Sequence, residues 1–353
     1  MVVSTQSCGL HWSHVLSAPF RTQDKTELRQ ARATAHAALN DFWGSGDQLH
    51  RLLFELADRG LQYETCIDVG AGMYGKLGPG DAALGLQFHE IFSAKATRST
   101  RVFLFEPDPN NPVHAKATGR GVLASTMAVG AEPGMLQLFG SKNSATTNPR
   151  LLGLRQYRPS KGPPRYLNAT TVDTLVQEHH LESIDVLKTD TEGCEWEVLH
   201  GARQTLLARK VRVLLVAYED KWSATTLSAA WPVSNMSIAA DVGSMQLPTL
   251  RSVTRELDAW GYDSYLLGRA SASTRHGGTR RGVQFIPLSG SLWDDAFEIG
   301  RDPHGLSFPW TWFDFVSVRS GSEESAIIEE IVKRSVCSET QPLPTGATRP
   351  FLR

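Results

Sequence analysis

The sequence has no apolar run near the roughly 20 residues that a helix needs to cross a bilayer. Residues 1–20 also lack a continuous apolar segment, so we expect no signal peptide. The four cysteines are scattered along the chain: Cys8, Cys66, Cys194 and Cys337. No pair of them has the spacing of a metal site, and we expect reduced thiols, a cytoplasmic location and no membrane association.

The chain also lacks an excess of either charge. Its 36 basic and 37 acidic side chains give a formal net charge of −1, and the pI is about 6.8. No overall electrostatic field therefore favours nucleic acid, which we do not expect as a partner. A length of 353 residues suits one enlarged α/β domain or a domain with additions. Hydrophobic residues make up 41% of the chain, which is enough for a core.

A short strand followed by glycines is the most informative stretch. The β-branched residues of 65–69 predict a buried strand, and Gly70, Gly72 and Gly75 follow it as G-x-G-x-x-G. Glycines allow a tight turn and let a ligand lie against the backbone. With 30 glycines in the chain, the spacing alone leaves a turn without a ligand equally open. Asp68 favours a cofactor site, because open α/β sheets bind ligands where their strands end.

The strands that follow predict the fold. A second strand over 101–105 ends at Glu106, whose carboxylate can accept two hydrogen bonds from ribose hydroxyls. Further strands over 184–190 and 211–216 alternate with amphipathic helices. This alternation predicts an α/β fold with a doubly wound, mostly parallel, seven-stranded sheet and helices on both faces. Residues 122–129 and 135–139 are predicted to pair as a hairpin.

Composition divides the chain into three parts. They are an N-terminal helical extension (1–60), a Rossmann-like domain (61–335) and a flexible tail (336–353). Helices predicted over 26–42 and 48–61 lean on the sheet, with a cofactor cover or a dimer contact as alternatives. Insertions are expected near three segments: 141–165, 222–249 and 269–310. They carry no motif that identifies a substrate.

Two cofactor classes fit the glycine turn. A nicotinamide cofactor needs an acid about 20 residues beyond the glycines, whereas Glu106 lies 36 residues beyond Gly70. No hydride-transfer partner, such as Tyr-x-x-x-Lys, stands in a convincing place. S-adenosylmethionine fits better, because Asp68 favours its ammonium group and Glu106 favours its ribose.

Four sequence elements carry a specific resemblance to a known family. In chain order they are Ile67-Asp68-Val69-Gly70-Ala71-Gly72, Phe105-Glu106-Pro107-Asp108-Pro109-Asn110, Ala128-Val129-Gly130 and Lys188-Thr189-Asp190-Thr191-Glu192-Gly193. The last element is followed by Glu195 and by Val198-Leu199-His200-Gly201-Ala202. On these motifs the chain resembles the FkbM family of S-adenosylmethionine-dependent methyltransferases. The family usually has Asn where this chain has Gly72, and one residue is added before Gly75.

The resemblance implies a class I methyltransferase fold and a set of site residues. The implied cofactor-binding residues are Asp68, Gly70, Ala71, Gly72, Gly75, Glu106, Pro107, Ala128 and Asp190. The implied reaction is O-methylation of a sugar or natural-product hydroxyl, so the expected partner is a small-molecule or glycan acceptor. Asp190 is the candidate to take the hydroxyl proton, alone or with a divalent metal. Glu192 either shares this role or caps the next helix.

Two other functions stay open at this point. One is a nicotinamide-dependent Rossmann oxidoreductase, and the other is a non-catalytic binding protein that keeps the fold. Intact Asp68, Glu106 and Asp190 argue against the binding protein. The need for a metal stays open, and no metal ligand is assigned. The oligomeric state stays open too, with a homo-oligomer as one alternative.

Overall fold

The structure is a computed structural model that describes residues 47–72, 83–93, 100–141, 144–146, 165–219, 249–269, 283–288 and 312–337. Several predictions lie outside these ranges: the helix over 26–42, Gly75, most of the three insertions, and the tail from residue 338. The helix predicted over 48–61 is present as Asp47–Asp58. The division into extension, domain and tail stays a prediction.

The described helices and strands alternate along most of the chain. In chain order they are α1 (Asp47–Asp58), β1 (Thr65–Val69), α2 (Leu84–Ser93), β2 (Arg101–Phe105), α3 (Pro112–Ala117), β3 (Val122–Ser125), β4 (Ala128–Val129), β5 (Gly134–Ser141), β6 (Ser144–Thr146), β7 (Arg165–Thr170), α4 (Val172–Glu178), β8 (Ile184–Thr189), α5 (Glu195–Gly201), α6 (Arg203–Leu207), β9 (Val211–Glu219), α7 (Leu250–Ala259), β10 (Tyr262–Arg269), β11 (Val283–Pro287), β12 (Trp312–Arg319) and α8 (Glu323–Cys337).

Eight of the described strands form the main sheet, in the order β11-β10-β12-β9-β8-β1-β2-β3. Within this order, the five neighbouring strands β9, β8, β1, β2 and β3 pair in parallel. β12 runs antiparallel between β9 and β10, and β11 adds an antiparallel edge strand. The predicted doubly wound, mostly parallel sheet of seven strands is confirmed. The seven are β10, β12, β9, β8, β1, β2 and β3, and β11 is an eighth strand at the edge.

Helices cover both faces of this sheet because successive strand residues point to opposite sides. In β1, Ile67 belongs to the apolar cluster that packs under α4, α5, α6 and α7. Its neighbour Cys66 belongs to the cluster under α1, α2, α3 and α8. Ile67 and Cys66 are both fully buried. Because helices cover both faces of this parallel strand, it has apolar residues on both sides.

The predicted hairpin between 122–129 and 135–139 is wrong. β3 ends at Ser125 and joins the main sheet beside β2. β4 and β5 belong to a second sheet of order β4-β7-β5-β6, in which β7 separates them. Sequence reasoning missed β7, because the partners that make it a strand precede it by some 30 to 40 residues. Local pattern does not reveal such non-local pairing.

Candidate functional site

A cleft opens where β1, β2 and β8 end, beside β4. It contains about 680 Å³ of space, part of it open to solvent. Seven of the predicted site residues line it: Gly70, Gly72, Glu106, Pro107, Ala128, Asp190 and Glu192. Its apolar lining includes Phe105, Met127 and Leu138. The cleft therefore combines an apolar wall with three acids.

The glycine turn after β1 is held against both neighbouring strands. The N–H groups of Gly70 and Ala71 donate to the Phe105 carbonyl at 2.9 and 3.0 Å. The N–H of Asp190 donates to the Val69 carbonyl at 3.0 Å. Gly70 has φ +73°, and a Cβ there would overlap the Asp190 carbonyl oxygen. Position 70 thus needs glycine for its backbone conformation and for the close approach of β8. Ala71 is fully buried behind the turn.

The turn after β2 fixes the Glu106 carboxylate. This buried side chain accepts the N–H of Asp108 at Oε1, 2.8 Å away. Nε2 of His114 lies 3.1 Å from the carbonyl oxygens of both Glu106 and Asp108. Carbonyls only accept hydrogen bonds, so Nε2 carries a proton and donates to this turn. Sequence reasoning missed His114, although Asn111 and Pro112 mark the start of the short helix that carries it.

Asp68 lies behind the glycine turn and does not line the cleft. It is fully buried, and its Oδ2 accepts the N–H of Gly85 at 2.9 Å. Its Oδ1 lies 3.2 Å from Nζ of Lys188. That oxygen has no well-aligned hydrogen bond, so the contact with Lys188 is an ion pair. The predicted contact between Asp68 and a cofactor ammonium group stays a prediction.

Lys188 is a buried cation that links the glycine turn to the acids. Its Nζ donates to the Gly70 carbonyl at 3.0 Å and lies 3.5 Å from Oδ2 of Asp190. Burial acts to lower the pKa of Lys188, but the charges of Asp68 and Asp190 outweigh it and raise that pKa above its ordinary value. The lysine therefore stays cationic. Sequence reasoning treated it only as part of a motif, although a lysine within a buried strand signals a charged partner.

The loop after β8 is wrapped around the carboxylate of Glu195. This fully buried side chain accepts the N–H of Thr191 at 2.6 Å and the N–H of Gly193 at 3.1 Å. Between them, Glu192 adopts φ +58°, a left-handed conformation that L-residues rarely take. The cap residue of α5 is Cys194, and its side chain makes no capping bond. Glu195 thus organises the loop, while Glu192 lines the cleft.

We expect Glu195→Gln to destabilise the protein by about 1.5–3 kcal/mol, the contribution of hydrogen bonds to a charged acceptor. Urea denaturation of the purified variant measures this change. The same substitution at the exposed Glu182 should stay within about 0.5 kcal/mol of the wild type. Equal effects of the two changes would contradict the role assigned to Glu195.

Neither a metal cluster nor a membrane span is found in the described part of the chain. No group of three or more His, Cys, Asp or Glu side chains there could hold a metal ion. No described helix is long and apolar enough to cross a bilayer.

Comparison with known proteins gives one family match. The family described as "Methyltransferase FkbM domain" matches residues 68–263, more than half of the chain. All the residues that line the cleft lie within this match. No curated protein matches the chain, and no solved structure does.

Proposed function

The chain belongs to the FkbM family of methyltransferases, and we propose that it uses S-adenosylmethionine to methylate a hydroxyl group of a sugar or natural-product-like small molecule. The family has the class I methyltransferase fold, to which the seven strands from β3 to β10 in the order of the main sheet correspond, with β12 as the reversed one. One observation carries the proposal for the cofactor. The Gly70 turn and the Glu106 carboxylate, from neighbouring strands, line the same cleft.

The residues of the cleft fit the parts of this cofactor. The missing Cβ of Gly70 and Gly72 leaves room for a ligand against the backbone. The fixed carboxylate of Glu106 suits two ribose hydroxyls, as at the ends of second strands in nucleotide sites. Met127 and Leu138 supply apolar surface suited to a flat base. These residues would hold the adenosine and methionine portions.

The acids across the cleft suit the acceptor. Bound S-adenosylmethionine supplies a methyl group on a positively charged sulfur. Asp190, which is partly exposed to the cleft, would accept the proton of the acceptor hydroxyl as its oxygen bonds to carbon. Lys188 holds this carboxylate by an ion pair, and Glu192 lines the same space. Much of the rate enhancement would come from holding the acceptor oxygen in line with the methyl group.

Calorimetric titration tests the cofactor. We expect S-adenosylmethionine and S-adenosylhomocysteine to bind the wild type. Glu106→Gln should weaken both by about tenfold or more, since a hydrogen bond to a charged group contributes ~1.5–3 kcal/mol and 1.4 kcal/mol is tenfold.

The same change at exposed Glu132, in the turn before β5, is the matched control and should leave binding unchanged. Heat from NADH, with none from either sulfur compound, would overturn the proposal in favour of a nicotinamide enzyme. Binding of none of the three would favour a non-catalytic protein.

A further inference from the structure

β12 contributes a buried acid beside the proposed reaction centre. Asp314 is 5% exposed and pairs in register with Ala217 of β9. In the next pair of strands, Val216 of β9 lies opposite Thr189 of β8. Asp314 is therefore level with the residue after Thr189, which is Asp190. Neighbours in register point to the same face, so Asp314 and Ala217 share a face of the sheet. The alternation of β8, continued one residue past Thr189, brings the carboxyl of Asp190 to that face.

The same face carries the rest of a charged group. Val316 lies two residues beyond Asp314 and packs in the cluster with Val186 under α1, α2 and α8. Alternation along the strands places Asp314 on that face, together with Lys188. Burial raises the pKa of Asp314 to about 7; the charge of Asp190 adds to the rise and that of Lys188 opposes it. Asp314 is thus electrostatically coupled to both ends of the ion pair already described.

Among the described residues, the other elements that pack on β12 place no further cation beside the Asp314 carboxyl. On β10, Leu267 lies opposite Asp314, and the buried phenol of Tyr265 has a raised pKa and stays neutral. On α8, Glu324 pairs with Arg212. Also on α8, Glu330 pairs with Arg59, and Glu323 and Glu329 are exposed. The charges that face Asp314 are consequently those of Asp190 and Lys188, with Asp68 behind the lysine.

We propose that Asp314 is a positioning residue for the methyl transfer and acts through Asp190, with which it forms one acid pair that takes up the proton of the acceptor hydroxyl. The inference rests on the proposed function. In the step, the acceptor O–H bond breaks and an O–CH₃ bond forms. The C–S bond breaks with its electron pair going to sulfur, and the proton goes to Asp190. Two nearby carboxyls share protons as a unit, so an ionised Asp314 strengthens the hold of Asp190 on that proton.

The acid pair of Asp190 and Asp314 should respond to the charge on the sulfur of the bound cofactor. This response can be measured as proton release, without an acceptor. S-adenosylmethionine carries a positive sulfur, whereas S-adenosylhomocysteine is neutral there. A cation beside the pair favours loss of its proton. Binding of S-adenosylmethionine should therefore release more protons than binding of S-adenosylhomocysteine at pH values near 7, where Asp314 titrates. Well above that pH the pair is already ionised, so the excess should disappear.

Calorimetry in two buffers of different ionisation enthalpy measures this excess. In Asp314→Asn both compounds should still bind, because Asp314 does not line the cleft, and the excess should vanish. Asp263→Asn is the matched control. It changes an acid on the neighbouring strand β10 whose carboxylate accepts from Ser320 and Ser325. This control should keep the excess.

Two results would overturn the inference alone: a wild type that binds both compounds without the excess, or an excess that survives in Asp314→Asn. The wild-type comparison needs no variant, so it decides even if Asp314→Asn fails to fold. If the wild type binds neither compound, the proposed function falls and the inference falls with it.

Discussion

Replacing Gly70 with alanine should cost about 4 kcal/mol or more of folding free energy and abolish cofactor binding. Two effects add at this position. The backbone has φ +73°, and the new Cβ would overlap the carbonyl oxygen of Asp190. The backbone fixes the position of the Cβ, and the atom that it meets is a backbone oxygen, so no side-chain rotation relieves the overlap. Losses of this size are typical of changes that force a backbone apart.

Gly60 provides a matched control for that experiment. It also has a left-handed backbone, with φ +91°, but a Cβ there would meet no atom within 4 Å. Gly60→Ala should therefore cost only the conformational penalty, about 1–2 kcal/mol, and leave cofactor binding intact. Urea denaturation and calorimetry on both variants give the comparison. Similar losses at the two positions would show that the contact with Asp190 does not matter.

Replacing Lys188 with methionine should destabilise the protein by about 3–5 kcal/mol, the cost of removing one partner of a buried ion pair. The change leaves the fully buried Asp68 without its cation and removes the hydrogen bond to the Gly70 carbonyl. Cofactor binding should weaken as well, because the glycine turn loses the hydrogen bond that Lys188 of β8 donates to the Gly70 carbonyl. Urea denaturation measures the stability, and calorimetry measures the binding.

The pH dependence distinguishes loss of charge from loss of packing. Burial lowers the pKa of Lys188, but the charges of Asp68 and Asp190 raise it above its ordinary value, so the lysine charge contributes stability at neutral pH that is lost as the pH rises above the ordinary lysine range. The deficit of Lys188→Met should therefore shrink as the pH rises through that range. A deficit that is constant with pH would indicate packing alone. Lys116→Met, at an exposed position on α3, is the control and should change stability by less than about 0.5 kcal/mol at every pH.

Local patterns predicted the parts of the site that stand at the ends of parallel strands. Gly70, Glu106 and Asp190 each follow a buried strand, and parallel strands bring such positions to one edge, where all three line the cleft. Their partners were harder to predict. Asp314 enters from an antiparallel strand more than 120 residues after Asp190, and nothing local marks its neighbours.

The second sheet shows the same limit. β7 has exposed Arg165 and Tyr166 at its start, so its residues do not have the apolar pattern of a core strand. It is a strand because β4 and β5 pair with its two edges. A helix start depends on local contacts instead: the side chain of Thr171 caps α4 by accepting the N–H of Thr174.

The position of β12 has a consequence for the order in which this protein can be completed. In the sheet, β12 lies between β9 and β10, but the ribosome makes β9 and β10 first. β9 and β10 therefore have to remain apart until residues 312–319 of β12 have been synthesised. Until that point, β9 and β10 each have an edge with unpaired backbone groups, and pairing between these two edges would leave no place for β12. The family match ends at residue 263, ahead of β12. A fragment cut to that match would therefore lack the strand next to β9 and the acid Asp314 that it carries.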